Sequence, residues 1–380
     1  MSPALSRMTE LSSVRKGGMK ILVACGGTGG HIFPALSFLE TLKSKQKDLD
    51  VTVIITKRKI ESRIVPREYK VAYISLSPLR LSFGAKNLIA LIKLPVGILQ
   101  SVCIILKFHP TVVVGFGGYA TFPLVFFAKA FGIKTIIHEQ NVRAGMANKI
   151  LAGFADKIAI SFPETREYFK SSRDKIILTG NPLRKDFFKV SKKEALGFFD
   201  FSENKFTILV AGGSQGSSKI NKVFIEALSG IQDKNRLQVI HLSGMKDFEV
   251  LASEYKNIDI SLKLFEFLKP MHYAYCASDL VISRAGATTV SEIIFFALPA
   301  IIIPYPFAYQ HQLANARILT DRGAAVLIEE SALNAFTLAE AITDLFYNRS
   351  RIESMRGKYA LINPASYERD LSDAVLTLVR

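Results

Sequence analysis

The chain has 380 residues, 49% hydrophobic and 22% charged, which is ordinary globular usage and excludes a disordered, collagen-like or coiled-coil protein. Its formal charge of +16 lies entirely in the first half: residues 1–190 carry 29 basic and 12 acidic side chains, residues 191–380 carry 20 and 21. That split predicts that one half faces something anionic. Three scattered cysteines, Cys25, Cys103 and Cys276, exclude a disulfide framework or zinc ribbon and fit a reducing compartment.

In chain order, residues 1–18 are polar and basic, without the apolar core of a signal peptide, and are read as a disordered leader. A β-branched run, Ile21–Ala24, leads into Gly26-Gly27-Thr28-Gly29-Gly30-His31 and then a helical pattern over Phe33–Lys45, with Pro34 near its expected start. A second strand is expected over Val51–Thr56. The stretch Leu88–Leu106 has membrane-spanning length, but Lys93, Pro95 and Gln100 interrupt it. Its apolar positions Leu88, Leu91, Ile92, Leu94 and Ile98, near Arg80, Lys86 and Lys93, fit either a helix lying on an anionic bilayer or a core helix.

The strand expected at Thr111–Val114 runs into Gly115-Phe116-Gly117-Gly118-Tyr119-Ala120-Thr121 and a helix over Phe122–Phe131. Thr135–His138 ends in His138-Glu139-Gln140-Asn141, and Ile158–Ser161 follows. After the Gly180–Pro182 turn the pattern restarts. Thr207–Ala211 precedes Gly212-Gly213-Ser214-Gln215-Gly216-Ser217 and a helix over Lys219–Leu228. Gln238–Leu242, Asp279–Ser283 and Ala300–Pro304 are further strands, with a helix over Thr289–Ala297. Buried strands alternating with helices predict parallel sheets covered on both faces, here as two doubly wound domains.

Ligands in such folds bind beyond the carboxyl ends of the strands. Three glycine loops stand there, two in the first half and one in the second, and each precedes a helix whose N-terminus attracts anions. The first is neither GxGxxG nor a P-loop, so neither a dinucleotide site nor nucleotide hydrolysis follows. Two phosphate-bearing ligands meeting across a cleft fit the number and placement of the loops. The polar blocks His138–Asn141, Ser283–Glu292 and Tyr305–Asn315 suit a ligand rich in hydroxyls.

Together the segments Gly26–Pro34, Gly115–Thr121, His138–Asn141, Gly180–Arg184, Gly212–Ser217, Ala285–Glu292 and Gln310–Ala316 resemble, in order, the motifs of the MurG family of peptidoglycan UDP-N-acetylglucosamine transferases. The resemblance runs from about Met19 to the C-terminus. It implies a GT-B fold: two Rossmann-like doubly wound domains with a cleft between them, residues 19–183 binding acceptor and membrane, residues 184–364 binding UDP-GlcNAc, and a last helix near 365–380 packing back on the first domain. The implied reaction is inverting, moving GlcNAc from UDP-GlcNAc to the C4 hydroxyl of undecaprenyl-pyrophosphoryl-MurNAc-pentapeptide (lipid I) without metal or cofactor. The implied setting is the cytoplasmic face of the bacterial membrane, with the anionic membrane surface and cell-wall synthesis proteins as partners.

By motif match, His31 is the general base, at a helix start where a neutral imidazole can accept a proton. Thr28, Gly29 and Gly30 line the sugar and acceptor region, and Asn141, Gln312 and Asn315 contact GlcNAc. Arg184, Ser214 and more weakly Arg284 hold the pyrophosphate, while Ala287, Thr288, Thr289, Val290 and Ser291 supply N–H groups. Glu292 accepts both ribose hydroxyls and the Leu268 backbone reads uracil. Gly115, Gly117, Gly118 and Tyr119 approach the acceptor diphosphate. Tyr309-Gln310 stands where the family commonly has Asp. The rivals are a diacylglycerol glycosyltransferase, a UDP-GlcNAc 2-epimerase, or a basic membrane scaffold. No nucleic-acid-binding signature is present.

Overall fold

A computed structural model describes residues 18–26, 29–56, 61, 64–77, 85–307, 311–362 and 370–380, with residues 85–92 described by backbone alone. Thr28, Arg80, Tyr309, Gln310 and the leader before Gly18 lie outside the described residues, as does the Lys86 side chain.

The first sheet holds seven parallel strands: β1 (Met19–Ala24), β2 (Leu49–Thr56), β3 (Lys70–Ile74), β4 (Val112–Gly115), β5 (Lys134–Glu139), β6 (Lys157–Ile160) and β7 (Ile176–Leu178). Their order is β3-β2-β1-β4-β5-β6-β7. The second holds β8 (Phe206–Ala211), β9 (Leu237–Leu242), β10 (Ser261–Phe265), β11 (Leu280–Ser283), β12 (Ala300–Ile302) and β13 (Ala325–Leu327), ordered β10-β9-β8-β11-β12-β13. In each sheet the central strands are largely buried and rich in Val, Ile, Leu and Ala, as suits parallel strands between two helical layers.

The helices are α1 (Gly29–Lys45), α2 (Ala85–Phe108), α3 (Thr121–Ala130), α4 (Met146–Leu151), α5 (Lys192–Phe198), α6 (Ser218–Leu228), α7 (Phe248–Glu254), α8 (Met271–Ala277), α9 (Ala287–Phe296), α10 (His311–Thr320), α11 (Ala335–Tyr347), α12 (Arg349–Lys358) and α13 (Leu371–Val379). One face of the first sheet packs on α1 and α13, where Phe38, Leu39 and Val375 are buried together. The other face packs on α2, α3 and α4. Thus the final helix lies on the N-terminal domain, and Lys45 of α1 pairs with Asp370 and Asp373 at its start.

Pro34 departs from expectation. Helix α1 starts at Gly29, so Pro34 sits inside it rather than at its first position. Proline has no N–H, so the Gly30 carbonyl loses its i+4 partner in the turn that carries His31.

Along α2, Val96, Leu99, Cys103 and Leu106 are exposed at spacings of three and four, which puts them on one outward stripe. Phe131, Met146, Ile150 and Phe154, also exposed, belong to the same helical layer. Among the described residues no helix is long and apolar enough to cross a membrane.

Candidate active site

The glycine loops follow β1, β4 and β8, and several of their glycines are required by contact or by a positive φ. Gly117 and Gly118 have φ of +88° and +79°. A Cβ on Gly118 would lie 2.3 Å from the Gly26 carbonyl oxygen, so the first two loops pack backbone to backbone. The third loop is built the same way: a Cβ on Gly216 would fall 2.0 Å from the Ser243 oxygen, and one on Gly244 2.4 Å from the Gln215 oxygen. Thr121 locks the second loop by donating its hydroxyl to the Gly117 and Ala24 carbonyls at 2.7 and 3.2 Å.

The two domains meet over these loops. The exposed Ser214 hydroxyl sits 3.5 Å from where a side chain on Gly29 would begin. Arg184, just beyond the turn that joins the halves, has its guanidinium 5.4 Å from the Phe33 ring of α1 and 5.2 Å from the Phe187 ring. It also acts electrostatically on Glu292, which is buried on α9. Burial raises the Glu292 pKa, opposed by Arg184 and by the Tyr275 hydroxyl, which donates to the carboxylate at 2.7 Å. His31, Gly29, Gly117, Gly118, Arg184 and Ser214 are therefore gathered at the mouth of the cleft, with Glu292 on the C-terminal wall. Tyr119 follows on the second loop, and Gly115 is buried at its root against Thr121.

Several expected ligand contacts are occupied by the protein. Asn315 is fully buried: its oxygen accepts from Val142 N at 2.9 Å, and its NH2 donates to Asn141 Oδ1 and Ala285 O, both at 3.1 Å. Asn141 in turn donates to Glu139 at 3.2 Å. As the domains stand, these two amides join the lobes. The oxygen of Gln312 accepts from Ala285 N and Tyr305 N at 3.2 and 2.9 Å, so only its NH2 can be offered to a ligand.

Arg284 is buried and paired with Glu330. It donates to Ile303 O at 3.2 Å and to Ser217 Oγ at 3.0 Å, bracing the third loop from below. On α9, Val290 N already donates to Gly286 O at 2.9 Å and Ser291 lies within the helical ladder. The expected row of N–H donors is therefore shorter: only Ala287, Thr288 and Thr289 stand outside the ladder, because a helix frees the amides of its first turn. The Leu268 side chain is packed in the core, leaving its backbone beside α8.

The structure gives roles to residues that the motif reading names without one. At the end of β5, alternation puts His138 and Gln140 on one side, Glu139 and Asn141 on the other. Glu139 organises the following loop, accepting from Asn141 N at 3.0 Å and from Gly145 N and Asn148 Nδ2 at 2.9 Å. Gln140 is buried behind His31, its Oε1 3.0 Å from His31 Nδ1. Two-residue periodicity was the available signal. Among the described residues no three His, Cys, Asp or Glu side chains come together as a metal site would need.

His138 is fully buried, and burial lowers its pKa from 6.5 to about 4. The unfolded chain thus binds this proton more readily than the folded one. The stabilisation is complete above pH 6.5 and is lost as pH falls toward 4, about 3 kcal/mol in all. His241, lowered to about 3 by burial, adds to the same decline. Urea unfolding across this window is expected to lose stability steeply, and less so in His138→Asn.

Residues 21–160 match the N-terminal domain of glycosyltransferase family 28, and residues 207–367 match its C-terminal domain. The chain is 42% identical, over 86% of its length and 90% of the relative's, to a UDP-N-acetylglucosamine–N-acetylmuramyl-(pentapeptide) pyrophosphoryl-undecaprenol N-acetylglucosamine transferase of Thermodesulfovibrio yellowstonii. A protein of the same description from Desulforamulus reducens is 39% identical over 89% of this chain and 92% of its own. Among solved structures, MurG of Acinetobacter baumannii superimposes with a TM-score of 0.73 at 27% identity, covering 95% of this chain and 99% of that one.

Proposed function

Because the chain belongs to glycosyltransferase family 28, among the N-acetylglucosaminyltransferases, we propose that its cleft transfers GlcNAc from UDP-GlcNAc to the C4 hydroxyl of undecaprenyl-pyrophosphoryl-MurNAc-pentapeptide, with inversion at the anomeric carbon. The observation that carries this reading is the meeting of the loops at Gly29 and Ser214, one from each domain, with His31 beside one and Arg184 against the Phe33 ring of α1.

In this mechanism Glu292 and the Leu268 backbone hold the uridine. The third loop, the N-terminus of α6 and the amides of Ala287–Thr289 receive the diphosphate, with the Arg184 guanidinium as counter-charge. His31 takes the proton of the acceptor hydroxyl as its oxygen attacks C1 of GlcNAc, and the C1–oxygen bond to UDP breaks on the opposite face. The electron pair leaves on the UDP phosphate. Held geometry replaces much of the entropy of bringing two substrates together. Incubating the enzyme with radiolabelled UDP-GlcNAc and a lipid-linked muramoyl acceptor should give labelled lipid and UDP. Release of free or epimerised sugar without lipid labelling would favour the epimerase reading instead, which the transferase relatives do not favour.

The same reading extends to location, at the cytoplasmic face of the membrane without spanning it. What supports it is the exposed apolar stripe of Val96, Leu99 and Leu106, flanked by exposed Lys93 and Lys107, on the half that carries the excess positive charge. Leu99→Glu with Leu106→Glu is expected to lower binding to anionic vesicles about tenfold or more. Turnover on a soluble acceptor analogue should be unchanged. Undiminished vesicle binding would place the contact elsewhere.

A further inference from the structure

We infer that Gln140 is a positioning residue that holds the His31 imidazole in its Nδ1–H tautomer, leaving the lone pair on Nε2. The reasoning starts from what each atom is able to do. The Gln140 side chain is buried, and its nitrogen lies 3.0 Å from Phe116 O, 3.2 Å from His138 O and 3.0 Å from His138 Nδ1. Backbone carbonyls only accept, so the NH2 must face them; the flipped amide would set oxygen against two oxygens. This orientation leaves Oε1 at 3.0 Å from His31 Nδ1. An amide oxygen also only accepts, so Nδ1 must carry the proton.

The second histidine is fixed by the same rule. His138 Nε2 lies 3.0 Å from Gly180 O and must donate, while its Nδ1 accepts from Gln140. The two rings therefore carry their protons on opposite nitrogens, with one amide between them. Burial keeps His138 neutral at physiological pH, which preserves its role as acceptor. Gly117 completes the seat: a Cβ there would lie 3.2 Å from His31 Cε1 and 3.4 Å from Nδ1, tight enough to push the ring off Gln140.

For turnover the consequence rests on the proposed role of His31 as base, since an imidazole protonated on Nε2 would offer the acceptor hydroxyl a donor and could not take its proton there. The tautomer itself rests only on geometry. Ring 15N shifts of the full-length enzyme, with His31 assigned by its disappearance in His31→Ala, read the tautomer directly. The expected wild-type result is Nδ1–H for His31 and Nε2–H for His138 at neutral pH; Nε2–H at His31 overturns the inference without any variant of Gln140. In Gln140→Leu, His31 should shift toward Nε2–H. The variant's kcat should fall by roughly 10²-fold, with KM for UDP-GlcNAc within about twofold. An unmoved tautomer in that variant removes Gln140 from the role. A moved tautomer with unchanged kcat upholds the positioning and instead removes His31 as base.

Discussion

His31→Ala is expected to lower kcat by about 10²–10⁴-fold while leaving UDP-GlcNAc affinity within about twofold. The size follows from what a positioned base contributes: without it, proton transfer from the acceptor hydroxyl falls to water. The selectivity for kcat follows from placement. His31 lies on the first turn of α1, tied to Gln140 and packed on Gly117 in the N-terminal domain. The groups assigned to the nucleotide, Glu292, Leu268 and the third loop, belong to the C-terminal domain. Removing the imidazole therefore touches the acceptor side of the transition state and leaves donor contacts in place. Steady-state kinetics with donor affinity measured by calorimetry separates the two quantities. Full turnover in the variant would give the base role to another group, and a parallel loss of donor affinity would mean that His31 holds the sugar.

Glu292→Ala is expected to act in the opposite way, weakening UDP-GlcNAc binding by about 1–3 kcal/mol. A carboxylate accepts two hydroxyls side by side, and a site built around it leaves unmet donors when it is gone. The alanine variant carries a second cost, because the Tyr275 hydroxyl is buried and donates to Glu292, so it loses its acceptor. Glu292→Gln is the cleaner probe: its amide oxygen keeps Tyr275 satisfied and removes the charge beside Arg184. Both variants should weaken donor binding in calorimetric titration, with Ala alone losing about 1–3 kcal/mol of folding stability as well. Wild-type donor affinity in Glu292→Gln and Glu292→Ala together would exclude Glu292 from the ribose.

The sequence disclosed the middle of each sheet and missed its margins. All nine strands read from apolar runs are present, and the four that were missed, β3, β7, β10 and β13, are the four edge strands. The reason is physical. A central parallel strand is buried on both faces and carries a nearly continuous apolar run, whereas the edge strands here are three to five residues long and half-buried, as in Ser261–Phe265. Such segments carry no continuous hydrophobic signal.

The candidate site divides similarly. Glycine loops at strand ends were legible because a backbone that approaches another within van der Waals distance admits no side chain, and Gly118 and Gly216 are both of that kind. That they meet across a cleft follows from their number and placement, but the contact of Gly29 with Ser214 does not, since it depends on how two domains dock. Nor does the partnership of His31 with Gln140, separated by 109 residues in sequence. The amides of Asn141 and Asn315 show what motif position leaves out: side chains proposed to contact a ligand also join one domain to the other.

The most direct test is a structure of the enzyme soaked with UDP-GlcNAc. The account predicts uridine on the C-terminal wall with its ribose at Glu292, the diphosphate over Gly212–Ser217, and the sugar's anomeric carbon turned toward His31. Uridine bound in the N-terminal domain, or anywhere distant from Ser214 and Glu292, would contradict it.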